Sequence, residues 1–439
     1  MDVFLVAFLL PSVSLEKCPL SDDDFDVAQI ILFYAPWNSS LIREQIVLYW
    51  NNPFFNEGDI VALFYGDPKT NDNKLLFSHQ PSRGKGFIKT EVSPSQAVYG
   101  LDLTFVEQCT GYYGAWLRDN VIRKTRCLLT HPDWMSKRRN TIGRKSLRRI
   151  ILPGTHDSGA YGEEPQPSVE QRYTETQDRD IFDQLISGAR YLDIRPAWYD
   201  GEYWVNHGTY KMQLLDNVIY DVKEFMENTE EIVILGFKQF PVGFNSNEDH
   251  EKFIKYLETE FADLFLLPRP RDSWAISLNE IWATGRRLIL SYDHPIQQTV
   301  HSLWIPVKQQ WGDVKDIHQL KKYLDTVEEE AGENYIQSYP KIPRATMAEI
   351  TLDLWRIVGD AVVESLSASG TQSLRQLGVK VGPLITAWYN EFWFSTANIV
   401  AVDFLDATGI VEIAIDWNDR RVSPCYNYYK DLYTNMTQI

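Results

Sequence analysis

The amino-acid sequence predicts an α/β protein, a (β/α) TIM-type barrel over residues 137–439 preceded by an all-β, sandwich-like domain over residues 20–132. Three observations carry that expectation. Beyond Ile150, apolar strand-like runs alternate with stretches of helical period, which is the pattern of a parallel sheet wrapped by helices. Before Leu129 the runs are short, apolar or alternating, and turn residues break them at regular intervals, as in antiparallel sandwiches. The chain has 439 residues, 44% of them hydrophobic and 13% aromatic, enough length for more than one core and enough apolar material to fill it.

Taken in order, residues 1–15 read as a secretory signal: an apolar run far too short to span a bilayer is followed by the small residues Ser12 and Ser14. The stretch before that run is acidic rather than basic, so a buried strand or a truncated start is the other reading. The first makes the protein secreted and extracellular, the second cytoplasmic. Cys18, Cys109, Cys127 and Cys425 allow two disulfides in three pairings, and Cys109 with Cys127 would close a local loop. No CxxC spacing suggests structural zinc. Asn38-Ser39-Ser40 and Asn435-Met436-Thr437 are glycosylation sequons, of consequence only if the chain is secreted.

Runs at 28–34, 45–50 and 59–65, with breaks at Gly66-Asp67-Pro68, Gly84-Lys85-Gly86 and Ser93-Pro94, make up the β-rich segment. Lys137-Arg138-Arg139-Asn140 and Arg144-Lys145 are basic and polar and read as a linker. Strands are then expected at 149–152, 190–194, 231–237, 287–292 and 398–404. Helices are expected at 178–187, 214–228, 249–261 and 346–367.

A net charge of −17 excludes a nucleic-acid footprint, which needs a basic stripe. It also excludes recruitment to anionic membranes by bulk charge. Any lipid contact would be transient and would rely on local aromatics and a local cationic pocket. Trp304 and Trp311 are candidates for such a surface, with core packing the alternative for each.

Chemically capable side chains cluster at the ends of the expected barrel strands. Leu152-Pro153-Gly154-Thr155-His156-Asp157-Ser158-Gly159 follows the first, and Asp193-Ile194-Arg195 closes the second. Asn206-His207-Gly208 ends a short run, Lys238 follows 231–237, and Asp403 lies in the last strand. In a barrel the carboxyl ends of the strands open on one face, so these residues are expected to converge. Imidazoles titrate near neutrality, so one can start neutral and another protonated. An arginine offers a planar fork for phosphate. The other histidines, His79, His131, His250, His294, His301 and His318, have no such context and read as structural or surface residues.

The four motifs at 152–159, 191–195, 205–208 and 234–238 occur in order and together resemble the X-domain of phosphatidylinositol-specific phospholipases C. More narrowly, the chain resembles X-domain-containing proteins that carry this barrel without a Y-half, a pleckstrin-homology module or a C2 module. The likeness covers roughly residues 137–418, and the β-rich segment is similar, more loosely, to the N-terminal sandwich of arthropod members.

The resemblance implies that His156 is the general base for an inositol hydroxyl, oriented by Asp403, with Asp406 and Asp293 as rival carboxylates. His207 would be the general acid, assisted by Asp157. Arg195 would clamp the phosphate, with Lys238 and Asp193 beside it in a substrate-binding role. No metal and no cofactor is implied: eukaryotic members carry acidic residues at both positions matching Asp193 and Arg195 and hold Ca²⁺ there, whereas the second position here is a guanidinium. The expected function is a metal-independent phosphoric diester hydrolase acting on a phospholipid or other phosphodiester through a cyclic phosphate. The alternatives are a binding protein, either an inactive barrel that holds a phosphorylated head group or a module whose sandwich recruits an unknown partner, and a Mg²⁺-dependent diesterase of the sphingomyelinase D or glycerophosphodiesterase type.

Overall fold

The computed structural model describes residues 27–35, 45–94, 104–162, 168, 171–269, 272–337, 342–351 and 373–436. The expected signal at 1–15 and the Asn38 sequon lie outside them. No helix among the described residues is long and apolar enough to cross a membrane.

Two antiparallel sheets form the first part. One contains β1 (Gln29–Ala35), β2 (Gln45–Asn51) and β5 (Lys85–Lys89), in the order β1-β2-β5. The other contains β3 (Ile60–Tyr65), β4 (Lys74–His79), β6 (Cys109–Arg118) and β7 (Val121–Leu129), in the order β4-β3-β6-β7. Ile30, Leu32, Ile46, Leu48 and Trp50 of the first sheet pack against Val61, Leu63, Tyr112 and Trp116 of the second. Asp119 and Asn120 turn β6 into β7 with φ of 54° and 60°, the left-handed pair that a two-residue hairpin requires. A disulfide joins Cys109 to Cys127 across that hairpin, and Cys425 is also disulfide-bonded.

The sandwich does not stand apart from the barrel. Residues alternating with its inner set, Ile31, Phe33, Val47 and Tyr49, belong to the same core as the barrel. β1 and β2 are therefore covered on both faces. Packing is close enough that a Cβ on Gly409 would lie 2.8 Å from the Ile31 side chain. The stretch expected as a linker is instead two short helices, Trp134–Lys137 and Arg139–Ile142, with Trp134, Met135 and Ile142 buried. Its cations are engaged: Arg138 bonds Asp419 at 3.0 Å, and Arg139 lies 5.1 Å above the Trp282 ring.

The barrel sheet is parallel. Its strands are β8 (Leu152–Thr155), β9 (Tyr191–Ile194), β13 (Val233–Phe237), β14 (Leu288–Tyr292), β15 (Lys308–Gln310), β16 (Arg344–Ala348) and β17 (Ile399–Val402). Their order is β14-β13-β9-β8-β17-β16-β15, and a bridge from Ser291 to Trp304 ties the β14 edge to the segment entering β15. Between β9 and β13 the chain leaves the sheet as an antiparallel meander, β10 (Pro196–Tyr199), β11 (Glu202–His207) and β12 (Tyr210–Leu214).

Helices Ile181–Ser187, Leu215–Asn228, Asn247–Phe261, Ile317–Gln337, Leu374–Glu391 and Ile410–Val422 are among those on the outside. Several begin where short polar residues satisfy free backbone N–H groups: Ser246 with Asp249, Ser277 with Glu280, and Ser373 with Gln376 all form reciprocal capping boxes. One helix expectation fails. Thr346, placed at the start of a helix over 346–367, lies in the middle of β16, and residues 352–372 lie outside the described ones.

Candidate functional site

The short barrel strands bring the expected residues to one mouth. His156 and Asp157 leave β8, Arg195 leaves β9, Lys238 leaves β13 and Asp403 leaves β17, while His207 reaches in from the end of β11. The β8 exit is held from behind: the Ser158 hydroxyl accepts from Asp193 N at 2.8 Å, and Ser158 N donates to Asp193 O at 2.8 Å. Asp157 adopts φ 42°, a left-handed conformation that aspartate tolerates better than most residues. It turns the carboxylate inward toward Arg195 and His207.

His156 is fixed at both ring nitrogens. Nε2 lies 2.7 Å from Nη2 of Arg195, and Nδ1 lies 2.8 Å from Oδ1 of Asp403. A guanidinium only donates, so Nε2 presents its lone pair and Nδ1 carries the proton that Oδ1 of Asp403 accepts. His156 is thus the neutral Nδ1–H tautomer. Burial, then the Arg195 charge, hold it down at about 4. Burial raises the Asp403 carboxyl, and Oδ1 remains the acceptor whether or not Oδ2 carries a proton.

His207 is held at the same ring nitrogen. Its Nδ1 lies 2.7 Å from the carbonyl of Thr174, which only accepts, so Nδ1 carries a proton. Nε2 then faces the pocket, 3.8 Å from Oδ2 of Asp157. The two rings are 6.4 Å apart between centroids at 85°.

Arg195 joins these groups. Its Nη1 lies 2.9 Å from Asp157 and its Nη2 3.2 Å from Asp193. Burial opposes its charge, but the two carboxylates outweigh burial and raise its pKa. Asp193 also accepts from Asp157 N at 3.2 Å and from Gln309 Nε2 at 3.0 Å, with Lys238 Nζ 3.8 Å away. Burial pushes Asp193 up, yet Lys238 and Arg195 together hold it well below the usual carboxylate range. Burial lowers the Lys238 ammonium, which donates to Gln309.

All seven sequence-derived site residues therefore meet in one cluster, and most of them line a cavity of about 350 Å³. The rivals to Asp403 do not join it: Asp406 pairs with Arg179 at 3.1 Å, and neither it nor Asp293 lines the cavity. Trp304 is core, packed 4.7 Å from Trp274. Trp311 is 52% exposed at the cavity rim. Among the described residues, no three His, Cys, Asp or Glu side chains are grouped to hold a metal.

Other residues of the site went unnoticed in the sequence. Glu349, just past β16, is a buried carboxyl in the cavity wall that accepts from Trp311 Nε1 at 2.8 Å, and burial raises its pKa. Gln309, on β15, bonds Asp193 and the Tyr191 hydroxyl. Tyr191 fills the barrel interior opposite Gly236, where a Cβ would come within 2.5 Å of its hydroxyl. Thr176 and Gln177 bond the backbone beneath His156.

No family model matches the chain. Among proteins of similar sequence, PI-PLC X domain-containing protein 1 of Homo sapiens is 25% identical over 334 residues, 69% of this chain and 96% of that protein. The Danio rerio protein of the same name is 26% identical over 222 residues, 44% of this chain and 70% of its own length. Among solved structures, phosphatidylinositol-specific phospholipase C from Listeria monocytogenes is 20% identical with a TM-score of 0.48, covering 66% of this chain and 98% of that one. The F249X mutant of the Staphylococcus aureus enzyme of that name is 17% identical with a TM-score of 0.49, covering 64% and 97%. By sequence, the chain is a relative of the PI-PLC X domain-containing proteins, a likeness carried over 69% of its length.

Proposed function

We propose that this protein is a phosphoric diester hydrolase of the phospholipase C type, acting on a diester whose alcohol carries a neighbouring hydroxyl, as the inositol of a phosphatidylinositol does. The observation that carries the reading is a pair of imidazoles, each anchored through Nδ1–H and each left with Nε2 for proton transfer. His156 is buried and neutral with its lone pair at Nε2, while His207 is 25% exposed with Nε2 facing the pocket. Two such imidazoles can serve as base and acid when one enters neutral and the other protonated.

In the proposed reaction His156 Nε2 accepts the proton of the neighbouring hydroxyl. The hydroxyl oxygen bonds to phosphorus as the bond from phosphorus to the leaving oxygen breaks. His207, entering as the imidazolium, gives its Nε2 proton to that oxygen, and the products are a cyclic phosphate and a free alcohol. In a second half-reaction the roles exchange: His207 takes a proton from water, the water oxygen opens the ring, and His156 returns its proton to the ring oxygen.

An arriving phosphate offers Arg195 two oxygens in place of His156, so binding itself would uncover the base. We propose further that no divalent cation takes part. Supporting this, Asp193 already faces Arg195, Lys238 and Gln309, and a cation placed there would meet two fixed positive charges.

The test is purified protein on a panel of phosphodiesters, with phosphorus NMR watching for a cyclic phosphate. Its formation from phosphatidylinositol, or from another diester with a neighbouring hydroxyl, supports the reading. Binding of the same diesters without turnover would make the barrel a head-group-binding module instead.

A further inference from the structure

We propose that Gln177 is a positioning residue that holds His156 and Asp403 at hydrogen-bonding distance by tying together the backbones of the two strands that carry them. His156 and Asp403 are 247 residues apart in sequence, and each sits one residue past the last ladder contact of its strand. The β8–β17 pairing ends at Thr155 and Val402, and only His156 N to Val402 O, at 3.0 Å, continues it. Both exits then turn sharply through left-handed residues, Asp157 with φ 42° and Phe404 with φ 51°. For phenylalanine that conformation is costly and persists only where the surroundings impose it.

Gln177 imposes it on both sides. Its side-chain amide is 1% exposed and donates to His156 O at 3.0 Å and to Val402 O at 2.9 Å. Its carbonyl oxygen accepts from Leu405 N at 3.2 Å. One planar group therefore spans both strand exits and holds the chain before and after Asp403. Thr176 adds to the strap: its hydroxyl bonds Asp157 O at 2.9 Å and its carbonyl accepts Phe404 N at 2.8 Å. Gln177 does not line the cavity, so it acts only through the residues it holds. Without it, the orientation of His156 would depend on a short strand ladder and two strained turns. A misplacement of about 1 Å in a reacting group can cost about 10²-fold in rate.

The inference rests on the proposed acid–base reading for its kinetic consequence, but not for its structural one. The first measurement is therefore the low-field proton NMR resonance of His156 Nδ1–H in histidine-labelled full-length protein, assigned by its loss in D403A. Gln177→Met keeps the length of the side chain and removes all three bonds. It should erase or broaden that resonance while near-UV circular dichroism stays native. Thr176→Val, a smaller change in the same strap, should broaden it. On any diester the wild type cleaves, Q177M should lower kcat about 10- to 100-fold with KM changed less than twofold, and Gln177→Glu, which keeps the acceptor and loses both donated bonds, should behave like Q177M. An unchanged resonance in folded Q177M and T176V overturns the inference. A wild type that shows the resonance but cleaves nothing overturns the proposed function and leaves the positioning role standing on the NMR result.

Discussion

Arg195 Nη2 lies 2.7 Å from Nε2 of His156, so the atom proposed to receive a proton is capped by a group that only donates. The same guanidinium helps burial hold His156 down at about 4. The proposed base works when neutral, so activity is lost as pH falls through that value, and the acid limb of kcat/KM should lie near pH 4. Arg195→Ala removes one of the two causes. It should move the limb upward toward the ordinary imidazole value of about 6.5 and lower kcat/KM by about 10²- to 10³-fold through loss of phosphate stabilisation. A pH–rate profile of both proteins checks this; a limb that does not move detaches Arg195 from the base.

Replacing either imidazole should cripple turnover. His156→Ala and His207→Ala should each lower kcat by about 10²- to 10⁴-fold, and the double mutant should be far less than multiplicatively worse because the two act as one unit. Near-wild-type turnover in either single mutant on the best substrate would refute the pair.

Chelation separates the proposed chemistry from that of a metal-dependent diesterase. With Asp193 facing Arg195 and Lys238, activity should be the same in EDTA as in added Ca²⁺ or Mg²⁺. Arg195→Asp replaces the guanidinium by a carboxylate and should be almost inactive in chelator, with Ca²⁺ restoring part of the lost rate. If wild-type activity vanished in EDTA and returned with either cation, the metal-free mechanism would be wrong.

The contact between sandwich and barrel should respond to pH through His131. It is buried with Nε2 2.7 Å from Glu412 and Nδ1 3.7 Å from Glu107. Burial opposes its charge, but the two carboxylates outweigh burial and raise its pKa. Its stabilising contribution is therefore complete below the unfolded value of about 6.5 and is lost as pH rises through the higher folded value. Thermal unfolding should show Tm falling from pH 6 to 9 on this account, and His131→Gln should flatten that slope. Glu412→Gln leaves Arg126 with Asp416 and His131 with Glu107 but removes the charge between them, and should destabilise by about 1–3 kcal/mol.

The barrel half of the fold was legible wherever a strand was buried on both faces. Residues 231–237 and 398–404 read as strands because parallel barrel strands are continuous apolar runs, and a polar residue at the end of such a run is conspicuous. β15 is Lys308-Gln309-Gln310 and β16 begins at Arg344. Neither has an apolar run to announce it, so Gln309 and Glu349 stayed hidden although both border the site. His207 was found through its motif, since the meander that carries it has no counterpart in a strand–helix alternation. The stretch Lys137-Arg138-Arg139-Asn140 looked solvated, but its cations settle on Asp419 and Trp282, partners too far along the chain for local composition to show.

The same holds for the first two strands. Ile30-Ile31-Leu32-Phe33 is an unbroken apolar run where a sandwich strand with one solvated face would alternate. That was a legible sign that both faces are covered, though the sequence could not say by what.

The covering elements set an order of events during synthesis. Gln29 bonds Asp416 across 387 residues, and Tyr433 bonds the carbonyl of Val27 across 406. The outer face of β1 and β2 leaves the ribosome first, while the helix that contacts it is among the last parts made. At about 5–20 residues per second, Ile31, Phe33, Val47 and Tyr49 wait on the order of 20 to 80 s before that helix arrives. During that interval the nascent chain displays an adhesive apolar sheet, and the yield of active protein in a cell should depend on a chaperone that shields it.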